Sequence, residues 1–340
     1  MAQTASHPKQ STGGDLAPDE LSAELEVYRR ELTGYCYRLL GGAFDADDAV
    51  QETLLRAWRS YERFEGRSSL RTWLYRIATN VCFDQLGSSR AKRERPMGLG
   101  ASVDPVEESL ATVLPEYAWV EPVPTEHVLP GASDPADTAV ARESVRLAFV
   151  AALQHLPAKQ RAVLILREVL RWPATEVATL LDTSVASVNS ALQRARATLA
   201  DKAPDRSDTS GSSAPTSADE SKLLERYVEA FERYDMTALA NLLREDAVMN
   251  MPPYAMWLEG IENIQAWLLG PGSACEGSRC VPIHVNGTPG FAQYKQDPKG
   301  GHYPWGVVVL ENDGTHITGI TTFLDTEKWF PRFGLPSHLD

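Results

Sequence analysis

The sequence predicts a multidomain chain: an all-α helical bundle, an all-α helix-turn-helix domain, and an α+β domain after them. Three features carry this. Apolar residues recur at helical spacing from Asp19 to Leu86 and again from 137 to 202. A Pro-rich, acidic stretch between the two cannot hold a long helix. After Ala247 the pattern changes to short β-forming runs, and Asn312-Asp313-Gly314 marks a hairpin turn. At 340 residues the chain has room for two or three domains. The boundaries read as a disordered tail over 1–18, a helical domain over 19–95, a linker over 96–136, a second helical domain over 137–202, a flexible linker over 203–218 and the α+β domain over 219–340.

The tail is rich in Ser, Thr, Gly and Pro and shows no signal-peptide pattern. Leu21, Leu25, Tyr28, Leu32, Tyr35, Cys36 and Leu39 predict one helix from Asp19 to Leu40, ended by Gly41-Gly42. An acidic-headed helix follows, with Ala49, Val50, Thr53, Leu54 and Ala57 on one side. Leu70 to Leu86 is another, its buried side formed by Leu70, Trp73, Leu74, Ile77, Val81 and Leu86. Arg71 and Arg76 on it need water or an anion. Between these helices Tyr61–Ser69 mixes Tyr61 and Phe64 with Arg63 and Arg67. Aromatics interleaved with cations suit single-stranded nucleic acid, since bases stack on rings and cations follow phosphates. The same stripe fits an ordinary helical hairpin with an aromatic core, and periodicity does not choose between them.

The order of residues does. DADDAVQETLLRAW followed by GRSSLRTWLYRIATN resembles region 2 of the extracytoplasmic-function (ECF) group of sigma-70 factors. The resemblance implies a promoter-specificity subunit of RNA polymerase. It implies that Asp45, Asp47, Asp48, Gln51 and Glu52 face the clamp helices of the polymerase β′ subunit. Arg59, Tyr61, Arg63, Phe64, Arg67, Ser68, Ser69, Arg71, Thr72, Trp73 and Arg76 lie where that family melts and reads the promoter −10 element. Trp73 serves equally as core, and Asn80 and Asp84 as structural polar residues.

Composition narrows the function classes. A net charge of −13 argues against a general DNA coat. The distribution is uneven: residues 66–95 carry +5, with Arg90, Lys92, Arg93 and Arg95 at the end, whereas 96–140 carry −8 and no Lys or Arg. A basic block beside an acidic one fits a DNA contact next to a strand that avoids or mimics nucleic acid. No apolar run approaches the ~20 residues that span a bilayer, so a cytoplasmic protein with no membrane partner is expected. The four cysteines, Cys36, Cys82, Cys275 and Cys280, show no CxxC or Cys/His zinc spacing. No metal and no cofactor is expected. Cys36 and Cys82 read as buried thiols; Cys275 and Cys280 read as loop thiols that oxidation can pair.

The linker contains LPEYAWVEPVPTEHVLPGASDP and reads as an extended acidic tether anchored at Tyr117 and Trp119; an unanchored spacer fits as well. AWVEPVP is similar to a Trp/Pro-rich motif in the linker of ECF factors that carry a C-terminal extension.

In the second helical domain Val145, Leu147, Phe149, Val150, Leu153 and Leu156 form a helix ending near Pro157, and AKQRAVLILREVL a second. Pro173 opens a third, where its missing N–H is harmless. PATEVATLL, the turn Asp182-Thr183-Ser184 and VASVNSALQRARATL make a helix-turn-helix, with Ala178 at the contact and Val188 and Leu192 inward. Placed one linker after the first domain, this resembles sigma region 4, which reads the −35 element and docks on the polymerase β flap. The outward face offers Ser184, Ser187, Asn189, Ser190, Gln193, Arg194 and Arg196. Arg pairs with guanine, Asn and Gln with adenine, and hydroxyls at a helix N-terminus hold phosphate. Short residues, Ala186 and Ala191 among them, dominate, so this domain alone should bind a promoter weakly.

From Asp219 the pattern is helix, helix, strands. Leu223, Leu224, Tyr227, Val228, Phe231 and Tyr234 mark one helix, Met236 to Leu243 a second and Ile261–Leu269 a third. Strands are expected at Ala247–Met251, Cys280–Val285, Gly290–Lys295, Trp305–Glu311 and His316–Asp325, in a curved antiparallel sheet over helices. This order, with NLLREDAVMNMPP and GITTFLD, resembles the SnoaL-like, ketosteroid-isomerase-like cone fold. The resemblance implies an apolar cavity, with Met251, Tyr254, Trp257, Trp267, His284, Asn286, Tyr294, Trp305 and Phe323 as candidate lining; whether a small-molecule ligand binds is left open. Some relatives use an Asp or His as a general base. Asp246, His284 and Asp325 are available here, yet no two are brought together by the sequence, and the domain is expected to bind rather than catalyse. In the sigma factors that carry it the extension regulates in cis, so no separate anti-sigma protein is required. Its net charge of −8 from residue 218 onward should repel DNA and can shield the +5 region before polymerase binds. The alternatives are a small-molecule enzyme or ligand sensor of the SnoaL type fused to a DNA-binding module, and a ligand-responsive factor that acts without polymerase.

Overall fold

The computed structural model describes residues 18–87, 102–115, 118–129, 135–202 and 217–340. The expected tail up to residue 17, the basic residues Arg90, Lys92, Arg93 and Arg95, Tyr117 and the second linker from 203 to 216 lie outside the described residues.

The first helical domain holds α1 (Pro18–Glu26), α2 (Arg29–Leu40), α3 (Ala43–Ser60) and α4 (Leu70–Gly87). The single helix expected from Asp19 to Leu40 is two. Val27 is 78% exposed, so the apolar period lapses there, and the Tyr28 N–H turns back to Leu25 O at 3.1 Å. Gly41 ends α2 as expected: its φ of 72° is left-handed, and its N–H reaches Tyr37 O at 2.7 Å. Leu32, Tyr35, Leu39, Val50, Leu74 and Ala78 fill the core, and Cys36 and Cys82 are buried thiols within it.

The linker carries a short helix, α5 (Thr125–Val128). The second helical domain runs through α6 (Pro135–Glu143), α7 (Leu147–Gln154), α8 (Ala158–Leu164) with a π turn over Ile165–Val169, α9 (Ala174–Leu180) and α10 (Val185–Lys202). Pro173 stands immediately before α9, and Asp182 makes the turn to α10 with a φ of 48°.

The C-terminal domain comprises α11 (Ser217–Glu232), α12 (Met236–Ala240), β1 (Leu243–Asn250), β2 (Trp257–Glu259), α13 (Ile261–Leu269), β3 (Arg279–Val285), β4 (Thr288–Gln296), β5 (His302–Asn312), β6 (Ile317–Phe323) and α14 (Thr326–Arg332). The sheet order is β2-β1-β6-β5-β4-β3. It is mixed, not antiparallel throughout, because β1 pairs in parallel with β6. The meander from β3 to β6 returns its last strand alongside β1, a neighbour relation that no local period records. Neither β2 nor α14 was expected: β2 has three residues, and α14 contains Pro331.

Each sheet face has its own cover. Met249, Phe291, Val308, Leu310 and Ile320 pack with α11, α12 and α13. On the reverse face Val285, Ala292, Tyr294, Val307, Val309 and Phe323 join Trp329 and Phe330 of α14 in one apolar cluster with the cores of both helical domains. Burial of this kind stabilises by about 25 cal/mol per Å², so the three parts are held together and not merely tethered. The linker is anchored along its described length. Val103 N–H reaches Trp257 O at 2.9 Å, Leu114 N–H reaches Pro253 O at 2.7 Å, and Trp119 is buried. The tether with one aromatic anchor is thus replaced by a strap laid across the C-terminal domain.

The β3–β4 hairpin tip pins the assembly. Asn286 (φ 52°) and Gly287 (φ 73°) form its two-residue turn, the backbone that Asn-Gly accommodates best. Asn286 is fully buried. Its N–H donates to Val123 O at 3.0 Å, its Oδ1 accepts the Val123 N–H at 3.1 Å, and its Nδ2 donates to Tyr37 Oη at 2.5 Å and Val145 O at 3.0 Å. One amide therefore bonds the first helical domain, the linker and the second. A Cβ on Gly287 would fall 2.5 Å from Arg142 O, so the approach requires glycine. Around it Glu220 of α11, buried, pairs with Arg142 at 3.0 Å and with Arg146, while Glu311 of β5 accepts the Ala148 N–H at 2.9 Å in the first turn of α7. Asn286→Ala should remove the three side-chain bonds and strand the Val123 N–H and the Val145 carbonyl, lowering the unfolding free energy by about 2–4 kcal/mol; chemical denaturation measures it.

Candidate nucleic-acid and partner interfaces

Helix α3 buries Ala43, Ala46, Ala49, Val50, Thr53, Leu54 and Ala57. That leaves Asp45, Asp48 and Gln51 exposed, with Asp47 and Glu52 partly so. Glu52 pairs with Arg56 at 2.6 Å. Leu55 and Trp58 stand on the same outer side, 39% and 47% exposed. Sequence reading missed both. They fall off the buried stripe, and an apolar residue there on a charged helix is the signal that was available.

The expected −10 set divides. Tyr61, Phe64 and Trp73 pack on one another, with Phe64 and Trp73 ring centroids 4.8 Å apart and Tyr61 and Phe64 6.1 Å apart. Tyr61 is buried and the other two are half-buried. Ser69 Oγ accepts the Thr72 N–H at 3.1 Å and so caps the start of α4, and Ser68 lies just before it. Arg59, Arg63, Arg67 and Arg76 are exposed; Arg67 pairs with Glu65.

Arg71, half-buried, is engaged by one carboxylate and two rings. Its Nε lies 3.0 and 3.1 Å from the two Glu31 oxygens. Its guanidinium is 5.2 Å from the Tyr75 ring centroid and 5.1 Å from that of Trp172, in the second helical domain. Trp172 and Tyr75 rings are 4.8 Å apart. Burial pushes the Glu31 carboxyl up, against the opposing pull of Arg71, and burial pushes the Tyr75 phenol up as well. Nearby, a cleft of about 680 Å³ between α4, α8 and α9 is lined by Arg76, Asn80 and Phe83 on one side and Lys159, Leu180 and Asp182 on the other. The second domain thus sits against the face that carries Arg71 and Arg76.

On α10, Val188, Ala191, Leu192 and Ala195 are buried, so Ala191 belongs to the inner face and not the outer. Asn189, Ser190, Gln193, Arg194 and Arg196 are exposed. Arg196 pairs with Glu168 at 2.6 Å. Ser184 Oγ accepts the Ser187 N–H at 3.1 Å, so both serines work at the helix start.

The nine candidate cavity residues do not share one lining. Met251 and Trp267 are buried on the inner face of the cone, Tyr254 packs against that cluster, and Trp257 receives the linker. Trp305 lies under the Lys295 ammonium, 3.3 Å from its ring centroid. Tyr294 and Phe323 face the helical domains, His284 is exposed on β3, and Asn286 is the junction residue. The three candidate bases are also apart: Asp246 bonds Arg244 on β1, and Asp325 accepts the Lys328 N–H at 3.4 Å to cap α14.

Residues 25–92 match the family model for Sigma-70 region 2, residues 146–199 that for Sigma-70, region 4, and residues 224–320 that for the SnoaL-like domain. The ECF RNA polymerase sigma factor SigG of Mycobacterium tuberculosis is 45% identical over 327 residues, which span 94% of this chain and 85% of the relative. The chain belongs to the ECF sigma factor family. The ECF RNA polymerase sigma factor SigW of Bacillus subtilis is 28% identical over 191 residues, 56% of this chain and 91% of that one. The crystal structure of the Mycobacterium tuberculosis ECF sigma factor SigJ has the same fold: TM-score 0.61, 23% identity, 92% of this chain and 99% of the other. Sigma factors bind polymerase core and promoter DNA. Among the described residues no helix is long and apolar enough to cross a membrane.

In this ECF factor Trp172 joins region 4 to region 2. Trp172→Ala should cost about 3–5 kcal/mol of stability and speed amide exchange in α4 and α9 together, as hydrogen exchange with mass spectrometry reads.

Proposed function

We propose that this ECF factor directs promoter-specific initiation from a closed resting state, which its SnoaL-like domain holds in cis. In this reading α3 receives the β′ clamp helices through Asp45, Asp47, Asp48, Gln51 and Glu52, with Leu55 and Trp58 as apolar anchors. The exposed cations Arg59, Arg63, Arg67 and Arg76 follow the −10 strand. Asn189, Ser190, Gln193, Arg194 and Arg196 read the −35 element, and region 4 docks on the β flap. Work of this kind takes place in the cytoplasm, where polymerase and promoter are.

One observation carries the closed-state reading: the Arg71 guanidinium is held by Glu31 and by the Trp172 ring, so region 4 competes for a side chain that the −10 strand needs. Region 4 must leave before region 2 can work, and polymerase supplies the interactions that draw it away. The C-terminal domain acts by binding. Its candidate bases are dispersed, and Asp246 and Asp325 are already engaged with their own strand or helix. The basic side chains of α14 add to the closed form: Lys328 meets Glu121 of the linker and Arg332 meets Asp47 of α3.

Co-purification of the full chain with polymerase core tests this. Leu55→Glu with Trp58→Ala should weaken core binding by about thirty-fold, with an unchanged circular dichroism spectrum. A promoter gel shift should need core. A chain that retains a promoter tightly by itself, or never associates with core, would overturn the reading.

A further inference from the structure

Helix α3 begins without a capping side chain of its own, because its N-cap is Gly42. Its first N–H groups still need acceptors. The linker supplies one. Glu121 Oε2 accepts the Ala43 N–H at 2.8 Å and the Phe44 N–H at 3.3 Å. A carboxylate at this position is favoured by the helix dipole as well as by the bonds. Glu121 is 6% exposed, so its charge needs a partner. Lys328 of α14 provides it at 2.8 Å. One turn along α14, Arg332 reaches Asp47 Oδ2 at 2.7 Å and Ala43 O at 3.2 Å. Its guanidinium lies 4.8 Å from the Phe44 ring centroid, and the Trp329 ring is 5.8 Å from the same ring.

We infer that α14 occupies the head of α3 in place of polymerase, as a built-in competitor for an acidic, aromatic surface. This rests on the assignment of α3 to polymerase made above. Any partner for that surface must bring cations to Asp45, Asp47 and Asp48 and an apolar contact to Phe44. Helix α14 brings two cations and a tryptophan to it within one and a half turns. The two occupants cannot share Asp47 and Phe44, so binding one releases the other. Glu121 makes the competition three-way. The carboxylate that caps α3 also fixes Lys328, and its own backbone is tied to Gly41 O at 3.0 Å and to the Tyr37 hydroxyl at 2.7 Å. Release of α14 therefore leaves the linker carboxylate at the head of α3 without its cation, while its backbone stays tied to region 2.

The test uses the full chain with Lys328→Ala and Arg332→Ala together. Affinity for polymerase core is read by fluorescence anisotropy of a dye-labelled chain, and opening by amide exchange over 43–47 without polymerase. The expected result is faster exchange over 43–47 and a gain in core affinity of about five-fold or more. Should the double variant fail to fold, Arg332→Gln keeps a donor for Ala43 O, loses the Asp47 pair and should give a smaller gain in the same direction. Faster exchange with unchanged core affinity would overturn the competition while leaving the sigma assignment intact. Absence of core binding by every form, wild type included, would overturn that assignment and this proposal with it.

Discussion

The assembly depends on one buried amide. Asn286 reaches three separate parts of the chain, and each of its bonds demands a particular distance and direction. Apolar contacts between the domains do not specify a register so sharply, since methyl groups slide at small cost. A buried amide cannot slide without losing partners that water does not replace. The turn that carries it adds a second constraint, because Gly287 approaches Arg142 O too closely for any side chain. Buried charge adds a third. Arg38 of α2 donates to Ser144 Oγ at 2.8 and 3.0 Å and to Gly34 O at 2.6 Å, and burial lowers its pKa to about 10. These groups fix where region 4 sits, and the Trp172 ring meets Arg71 as a result.

Sequence pattern showed the helical domains well because their apolar stripes repeat locally. The Gly41 stop, the turn at Asp182 and the hairpin at Asn312-Asp313-Gly314 were all legible for the same reason: each needs only a few neighbouring residues. What escaped depends on distant partners. The parallel pairing of β1 with β6 follows from the path of the whole domain. Helix α14 was hidden by Pro331 and by its dependence on Phe44 and Asp47, more than 280 positions away in the chain.

The site residues divide along the same line. The acids of α3 are visible as a charged helix head, but Leu55 and Trp58 go unassigned, because they fall off the apolar stripe that the helical period picks out. By family resemblance Asn286 reads as cavity lining; the Asn-Gly pair between two expected strands is the better clue. Tyr294 and Phe323 read as cone lining because strand alternation shows that two faces exist without showing which is inner. Here the outer face is as apolar as the inner, since the helical domains cover it.

A closed state held by so much buried surface must still open. A partner shifts such an equilibrium only by as much as it prefers the open form. The character of the contacts decides whether that is attainable. Much of what fixes the geometry is polar: Asn286, Glu220, Glu121 and Arg38 with their partners. Such groups contribute modest net stability, about 0.5–1.5 kcal/mol per bond, because water receives them when they part. The apolar surface that opening uncovers is the larger cost, and it includes Trp172 and the reverse face of the cone. A polymerase that binds region 2 offsets this cost through its own contacts on α3, where Leu55 and Trp58 are exposed even in the closed form. Those two residues offer a first foothold before α14 has moved, and the head of α3 is gained afterwards.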